Sequence, residues 1–136
     1  MPLKARTIVL DSWSIIAYLE DEPAGQKVEE IIAHAHEHRI PLLTTVINAG
    51  EVWYITARKT SDEEADEVIR DLQRLGIEFV DADWLLAKAA AGFKSKCRMS
   101  YADCFAAALA KMRGATVVTG DPEFKQVADE IKVHWL

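Results

Sequence analysis

Thr7-Ile8-Val9-Leu10-Asp11-Ser12-Trp13-Ser14-Ile15-Ile16-Ala17-Tyr18-Leu19 is the stretch that decides the fold. Thr7 to Leu10 is a short, β-branched apolar run without polar alternation, the pattern of a strand buried on both faces. Ser12 to Glu20 follows with helical spacing, and Ser12 is placed to cap it. A buried strand passing at once into a helix begins a parallel α/β sheet, and the rest of the chain repeats that beginning. Pro23 suits the first turn of a second helix that ends near His34, His36 and His38, before Pro41. Pro41 to Thr44 reads as a strand, with Thr44 or Thr45 capping a helix that runs to about Lys59. Ser61-Asp-Glu-Glu64 has the form of a capping box that opens a helix to Leu75, with Gly76 as its stop. Ile77 to Val80 is the next strand. Asp81 opens a helix into the region of Phe93 to Arg98. Ser100 begins an Ala-rich helix that ends at Arg113 and Gly114. Ala115 to Val118 is a strand, Gly120-Asp121-Pro122 turns into a short helix, and Ile131 to Trp135 forms a final edge strand. Short strands alternating with helices predict a mainly parallel sheet in an α/β sandwich, built as one domain over residues 1–136.

Composition agrees with that class. The 136 residues are 50% hydrophobic and 28% charged, enough for a core and ordinary for a globular domain. No apolar run approaches the roughly 18 residues of a membrane span. Met1 to Arg6 carries no signal-peptide pattern, so a cytoplasmic location is expected. Cys97 and Cys104 are the only cysteines and read as reduced thiols. The net charge of −6 argues against a broadly basic nucleic-acid surface, an objection that weakens where carboxylates hold divalent cations.

Four acids stand apart from the solvated charge runs: Asp11, Glu51, Asp103 and Asp121. Asp11 follows the first strand, and in open parallel sheets ligands bind beyond the carboxyl ends of strands. It also fits a helix N-cap. Asp121, at another strand's end and before Pro122, fits the same two roles. Asp103, three residues after Ser100, fits a capping position, yet Ala102, Phe105, Ala106 and Ala107 around it predict a buried helix. Glu51 shares a helical stripe with Ile47 and Ile55, where a lone carboxylate is costly unless paired, for example with Arg58. Asn48, at i−3, is a candidate hydrogen-bond partner for it. Two carboxylates about 4 Å apart repel by about 4 kcal/mol at an effective dielectric near 20. A cluster of four therefore calls for protonation or a cation, and all-oxygen ligation suits Mg²⁺ or Mn²⁺.

At these residues the chain resembles a PIN domain, specifically a VapC-type toxin ribonuclease of a type II toxin-antitoxin system. The matching stretches are Val9-Leu-Asp11-Ser12 with Ala17-Tyr-Leu19, Asn48-Ala-Gly-Glu51, Ser100-Tyr-Ala-Asp103 leading Phe105-Ala-Ala-Ala-Leu, and Val118-Thr-Gly-Asp121-Pro-Glu-Phe124. They span nearly the whole chain in order. The resemblance implies a three-layer α/β/α sandwich whose acids meet at one end of the sheet. It implies Asp11, Glu51, Asp103 and Asp121 as catalytic, metal-holding acids, with Mg²⁺ or Mn²⁺ as cofactor. Asp11 and Asp121 would ligate directly, Glu51 and Asp103 directly or through water. Glu123 matches a position that is sometimes acidic, and Ser12, Asn48, Ser100 and Thr119 lie beside the acids as supporting or substrate-contacting residues. The implied reaction is endonucleolytic RNA cleavage leaving a 3′-hydroxyl and a 5′-phosphate. The implied assembly is a homodimer inhibited by a cognate antitoxin peptide laid into a groove. Trp13 departs from the family pattern, which often has a small polar residue there. Ser12 or Ser14 is the candidate substitute, and Trp13 is expected to reshape the mouth of the pocket.

Other readings are weaker. A haloacid-dehalogenase-like phosphatase needs Asp-x-Asp after its first strand, and here Ser12-Trp13 follows Asp11. A receiver domain matches neither the Asp11 region nor the Thr-Gly-Asp121 turn. A non-catalytic PIN-like module that binds RNA or protein is the non-enzymatic alternative. Lys94, Lys96 and Arg98 are candidates for phosphate contact, weighed against simple solvation. His34 and His38 share a helical face, weighed as a metal pair against a favourable helix C-terminus. Asp62 to Glu67 reads as a solvated helix start. Trp53, Tyr54, Trp84 and Leu85 read as core, or as a dimer or antitoxin surface.

Overall fold

The computed structural model describes residues 3–21 and 23–136; Met1 and Pro2, part of the stretch read for a leader, lie outside the described residues. The chain starts in the middle of its sheet. From β1 (Ile8–Leu10) it passes through α1 (Ser12–Leu19) and α2 (Pro23–His38) to β2 (Leu42–Thr45). Helices α3 (Val46–Lys59) and α4 (Asp62–Arg74) then lead to β3 (Ile77–Val80) at one edge. Helices α5 (Trp84–Lys96) and α6 (Tyr101–Arg113) carry the chain back across β1 to β4 (Thr116–Thr119). A 3₁₀ helix (Pro122–Val127) precedes β5 (Lys132–Trp135) at the other edge. The strand order is β3-β2-β1-β4-β5, and every pairing is parallel. The direction of winding therefore reverses between β1 and β4, the place where open α/β sheets gather their ligands.

The three central strands, β2, β1 and β4, are buried on both faces, as their unalternating sequences require. Val9, Leu43 and Val117 point into a core with α5, α6 and Phe124 of the 3₁₀ helix. Their neighbours Ile8, Leu10, Leu42 and Val118 point into a second core with Ile15 of α1, Val28, Ile31 and Ile32 of α2, Val52 of α3 and Leu72 of α4. These are the three layers the resemblance implies. Helix α6 is buried without interruption from Asp103 to Ala110. Its small alanines let it lie close against the middle of the sheet, which delivers its first turn to the carboxyl end of β1 and β4.

Local signals explain most boundaries. Thr45, Ser61 and Ser100 accept from the backbone N–H three residues on. Gly76 and Gly114 take positive φ, 84° and 58°, at helix ends where side chains are strained. Of the two caps offered for α1, Asp11 serves and Ser12 does not, Asp11 accepting from Ser14 N. One expected cap falls elsewhere. Asp83, not Asp81, caps α5, because the chain needs three more residues after β3 before turning. Trp84 and Leu85 are not core: both stand exposed at the start of α5, Trp84 by 71%. Trp53 is half-buried and its indole N–H donates to Asp66 at 2.9 Å. No helix among the described residues is long and apolar enough to cross a membrane.

One contact between α1 and α2 tolerates no side chain. A Cβ on Gly25 would lie 2.3 Å from the carbonyl oxygen of Ala17. Gly25→Ala is expected to cost about 1–3 kcal/mol in urea unfolding. An unchanged unfolding midpoint would contradict this close approach of the two helices.

Candidate metal centre

Leu10 pairs with Val118, so Asp11 and Thr119 come next on adjacent strands. Asp11 is completely buried. One carboxylate oxygen accepts from Ser14 N at 2.8 Å, and the other accepts from the Thr119 hydroxyl. The same hydroxyl oxygen accepts from Asp121 N at 3.0 Å, and Asp121 in turn accepts from Glu123 N at 2.9 Å. Thr119 is thus the hinge between the acid of β1 and the acidic turn after β4. Burial pushes the Asp11 carboxyl up to about 6, against the pull of the Thr119 and Ser14 hydrogen bonds and with a small push from Asp121.

Helix α6 brings in Asp103. Its backbone N–H donates to Ser100 Oγ at 3.1 Å, so Ser100 is the cap. The Asp103 carboxylate groups with Asp121 and Glu123: one oxygen from each lies within 4.8 Å of the others. Burial, then the charges of Asp121 and Asp11, push Asp103 up to about 7. Among the described residues this is the one set of three or more His, Cys, Asp or Glu side chains arranged to share an ion.

Glu51 is placed differently from expectation. It is only half-buried on α3, and Ile47 beside it is 37% exposed, so the stripe does not force a carboxylate into the core. The Tyr54 hydroxyl reaches it at 3.4 Å, while Arg58 lies over the Tyr54 ring instead of pairing with it. Asn48 does not serve Glu51 either. The Asn48 side chain accepts from Thr45 Oγ1 at 2.6 Å and donates to Ser12 Oγ at 3.0 Å and to the Ala102 carbonyl at 3.1 Å. It is a buried rivet joining the starts of α1, α3 and α6. Glu51 stands one turn further along α3, on the same face as Asn48 and outside the three-acid group.

Ser12 and Ser14 are both buried and engaged inside the protein, Ser12 with Asn48 and Ser14 with the Asp11 carbonyl. Trp13 alone of that turn faces outward, 36% exposed. Its ring lies against Gly120, where a Cβ would stand 2.2 Å from Cη2. Lys94 is tied to the Met99 carbonyl at 2.6 Å, while Lys96 and Arg98 show no ion pair among the described residues. Among the described residues the histidines form no ion site of three or more ligands: the His34 and His38 rings lie 4.2 Å apart, and His36 meets the Leu75 carbonyl. Thr44 and Thr45 were visible to sequence only as caps. Thr44 donates to the Leu10 carbonyl at 2.8 Å, bracing the end of β1 from the other side.

The donor set fits a hard divalent cation. An octahedral ion with metal–oxygen distances of roughly 2.0–2.1 Å holds its ligand oxygens about 3–4 Å apart. Small side-chain rotations would close the three-acid group to that spacing. Two carboxyls raised toward neutrality mark a site whose negative charge lacks a protein counter-charge.

An α/β protein with an all-parallel sheet and an acidic centre at its switch point is the class this arrangement defines. The chain belongs to the PIN domain family, whose model matches residues 8–130. No curated protein matches it by sequence. Among solved structures, it is similar in fold to the DNA-bound VapBC2 of Rickettsia felis, with a TM-score of 0.72 and 14% identity over 94% of this chain and 97% of that one. It is also similar to the DNA-bound VapBC of Salmonella typhimurium, with a TM-score of 0.72 and 21% identity over 94% and 96%. A third is VapC20 of Mycobacterium tuberculosis, described as a sarcin-ricin loop cleaving toxin, with a TM-score of 0.70 and 18% identity over 94% and 99%.

Two outcomes follow from the site's charge and its rivet. A raised carboxyl holds a proton that the unfolded chain has already lost, so its stabilisation is present at low pH and lost as pH rises through the folded value. With Asp11 and Asp103 raised from 3.8 to about 6 and about 7, EDTA-treated protein is expected to lose Tm as pH rises across that window. Added Mn²⁺ should restore Tm above the window and do little below it, and Asp103→Asn should flatten the slope. A Tm indifferent to both pH and Mn²⁺ would contradict the site. Asn48→Ala, which strands Ser12 and the Ala102 carbonyl, is expected to cost about 1–3 kcal/mol in chemical denaturation.

Proposed function

We propose that this chain is a metal-dependent endoribonuclease acting as the toxin of a toxin-antitoxin pair. The observation that carries the reading is the meeting of Asp11, Asp103, Asp121 and Glu123 at the switch point of a PIN-family sheet. Asp103, Asp121 and Glu123 would hold Mg²⁺ or Mn²⁺ between them, with Asp11 behind Asp121 and Glu51 at the α3 side. A cation bound there supplies a water of lowered pKa and neutralises charge on the phosphate under attack.

The protein's own groups do the rest. Thr119 and Ser14 N–H lock both oxygens of Asp11, so its charge is aimed before substrate arrives and costs no reorganisation. Asp103, held at the start of α6, would bind the cation directly or through water and would orient the attacking water. The Asn48 rivet holds α6 against α1, keeping Asp103 and Asp11 at a fixed separation. The ester would open to a 3′-hydroxyl and a 5′-phosphate.

The VapBC structures of R. felis and S. typhimurium are described as complexes bound to DNA, and VapC20 as a toxin that cleaves the sarcin-ricin loop. That likeness supports an RNA substrate and a cognate antitoxin as partners here; a second copy of the chain and a cytoplasmic location are proposed with them from the family resemblance. Exposed Trp84 and Leu85, with Ile47 and Tyr54 on α3, supply apolar surface for such protein partners.

Purified protein should cleave structured RNA with Mg²⁺ or Mn²⁺ and stop on chelation. Asp11→Asn should abolish cleavage, and Asp103→Asn should slow it by about 10²–10⁴-fold. Expression should be toxic and relieved by the adjacent reading frame. Cleavage that survives EDTA and Asp11→Asn would contradict the metal mechanism, and tight RNA binding without cleavage would favour a non-catalytic module.

A further inference from the structure

We propose that Trp13 is a base-stacking platform: its exposed indole takes a nucleobase of the RNA strand beside the phosphate to be cut, and so sets base preference. The inference rests on the nuclease reading and adds a specificity residue to it.

The placement of Trp13 is the first ground. It follows Asp11 directly and sits in the first turn of α1, whose geometry Asp11 pins through Ser14 N. On its other side it covers Gly120, the residue before Asp121. The ring therefore borders the acidic centre from two chain segments at once.

Gly120 is the second ground. Positive φ explains Gly76 and Gly114, but Gly120 has none. What excludes a side chain at 120 is the Trp13 ring itself, 2.2–2.6 Å from where a Cβ would be. The backbone at the acidic turn is bare so that the indole can lie flat on it. Such a ring is held in orientation without being buried, and it keeps 36% of its surface open. A tryptophan used for the core would be covered, as Phe124 is nearby.

Electrostatics is the third ground. The chain carries −6 overall, and the site is built from carboxylates. Of the cations that precede Asp103 in sequence, Lys94 is bonded to the Met99 carbonyl, so phosphate contacts from that stretch, the usual source of affinity for RNA, would rest on Lys96 and Arg98. Stacking needs no cation and is the common way to hold a single strand; it is open to every base, and differences in stacking strength between bases are the source of the modest preference proposed here. A groove beside the ring, lined by Ile16, Ala17 and Glu20, gives a base room to lie against it.

The test uses hairpin RNAs with fully randomised loops, cleaved with Mn²⁺ by the wild-type protein, Trp13→Ala and Trp13→Phe, with cut sites read by sequencing. Trp13→Ala is expected to raise KM by about ten- to a hundredfold. It should change kcat less and lose base preference at one position beside the cut. Trp13→Phe should keep most of both. An abasic nucleotide at that position should lower wild-type cleavage to the Trp13→Ala level and leave Trp13→Ala unaffected. Equal KM and equal preference in Trp13→Ala would overturn the inference while leaving the nuclease reading intact. Should Trp13→Ala fail to fold, the abasic scan on wild-type protein decides: no sensitive position overturns the proposal. Should wild-type protein cut none of these RNAs, the nuclease reading fails. Fluorescence-anisotropy binding of the same RNAs then judges Trp13, weaker binding by Trp13→Ala supporting it and equal binding overturning it.

Discussion

The Asp11 carboxylate, clamped between Thr119 Oγ1 and Ser14 N, is the interaction on which the rest of the site depends. It crosses the boundary between β1 and β4, where the sheet changes its direction of winding. A fully buried carboxylate is expensive, and its two hydrogen bonds offset only part of that cost. Its raised pKa is the residue of the imbalance. The fold accepts that penalty at the switch point between β1 and β4, where the backbone N–H groups of Ser14, Asp121 and Glu123 are turned toward the acids and the threonine that links them.

From that clamp the acidic centre extends in one direction only. Thr119 passes the constraint to Asp121, Asp121 to Glu123, and the start of α6 sets Asp103 against them. On the opposite side Asn48 binds α1, α3 and α6 together. The polar rivet and the acidic centre share a wall: Ser12 and Ser14 look inward to rigidity, while Trp13 between them looks outward to solvent. A rigid wall with an open aromatic face and uncompensated negative charge is suited to a polyanion that arrives with metal.

Much of this was legible in the sequence because the signals are local. Short, largely apolar runs marked β1 to β4, Gly76 and Gly114 marked helix ends, and Thr45, Ser61 and Ser100 marked helix starts. The acids at strand ends stood out for the same reason. What was illegible depends on distant pairings. The Asp11–Thr119 bond joins residues 108 positions apart, and the Asn48–Ala102 bond 54. Nothing near Asn48 says that its amide would serve Ser12 and Ala102 instead of Glu51. Glu51 itself was misread because helical spacing shows which residues share a face but not whether that face is covered; Ile47 and Glu51 lie on a rim. For the cap of α1 the sequence offers both Asp11 and Ser12, and the structure uses Asp11 while Ser12 turns to Asn48. Trp84 and Leu85 looked like core by composition, and only the position of α5 on the outside of the sandwich shows otherwise.

The account's central claim is that the carboxylates at the end of β1, β4 and α6 form a divalent-cation centre. Mn²⁺ binding followed by electron paramagnetic resonance tests it directly, since bound Mn²⁺ loses the sharp signal of the free ion. The wild-type protein is expected to take up Mn²⁺ saturably, with Mg²⁺ competing, and Asp121→Asn is expected to abolish the uptake in a folded protein. Absence of uptake by the wild-type protein, or uptake unchanged by Asp121→Asn, would contradict it.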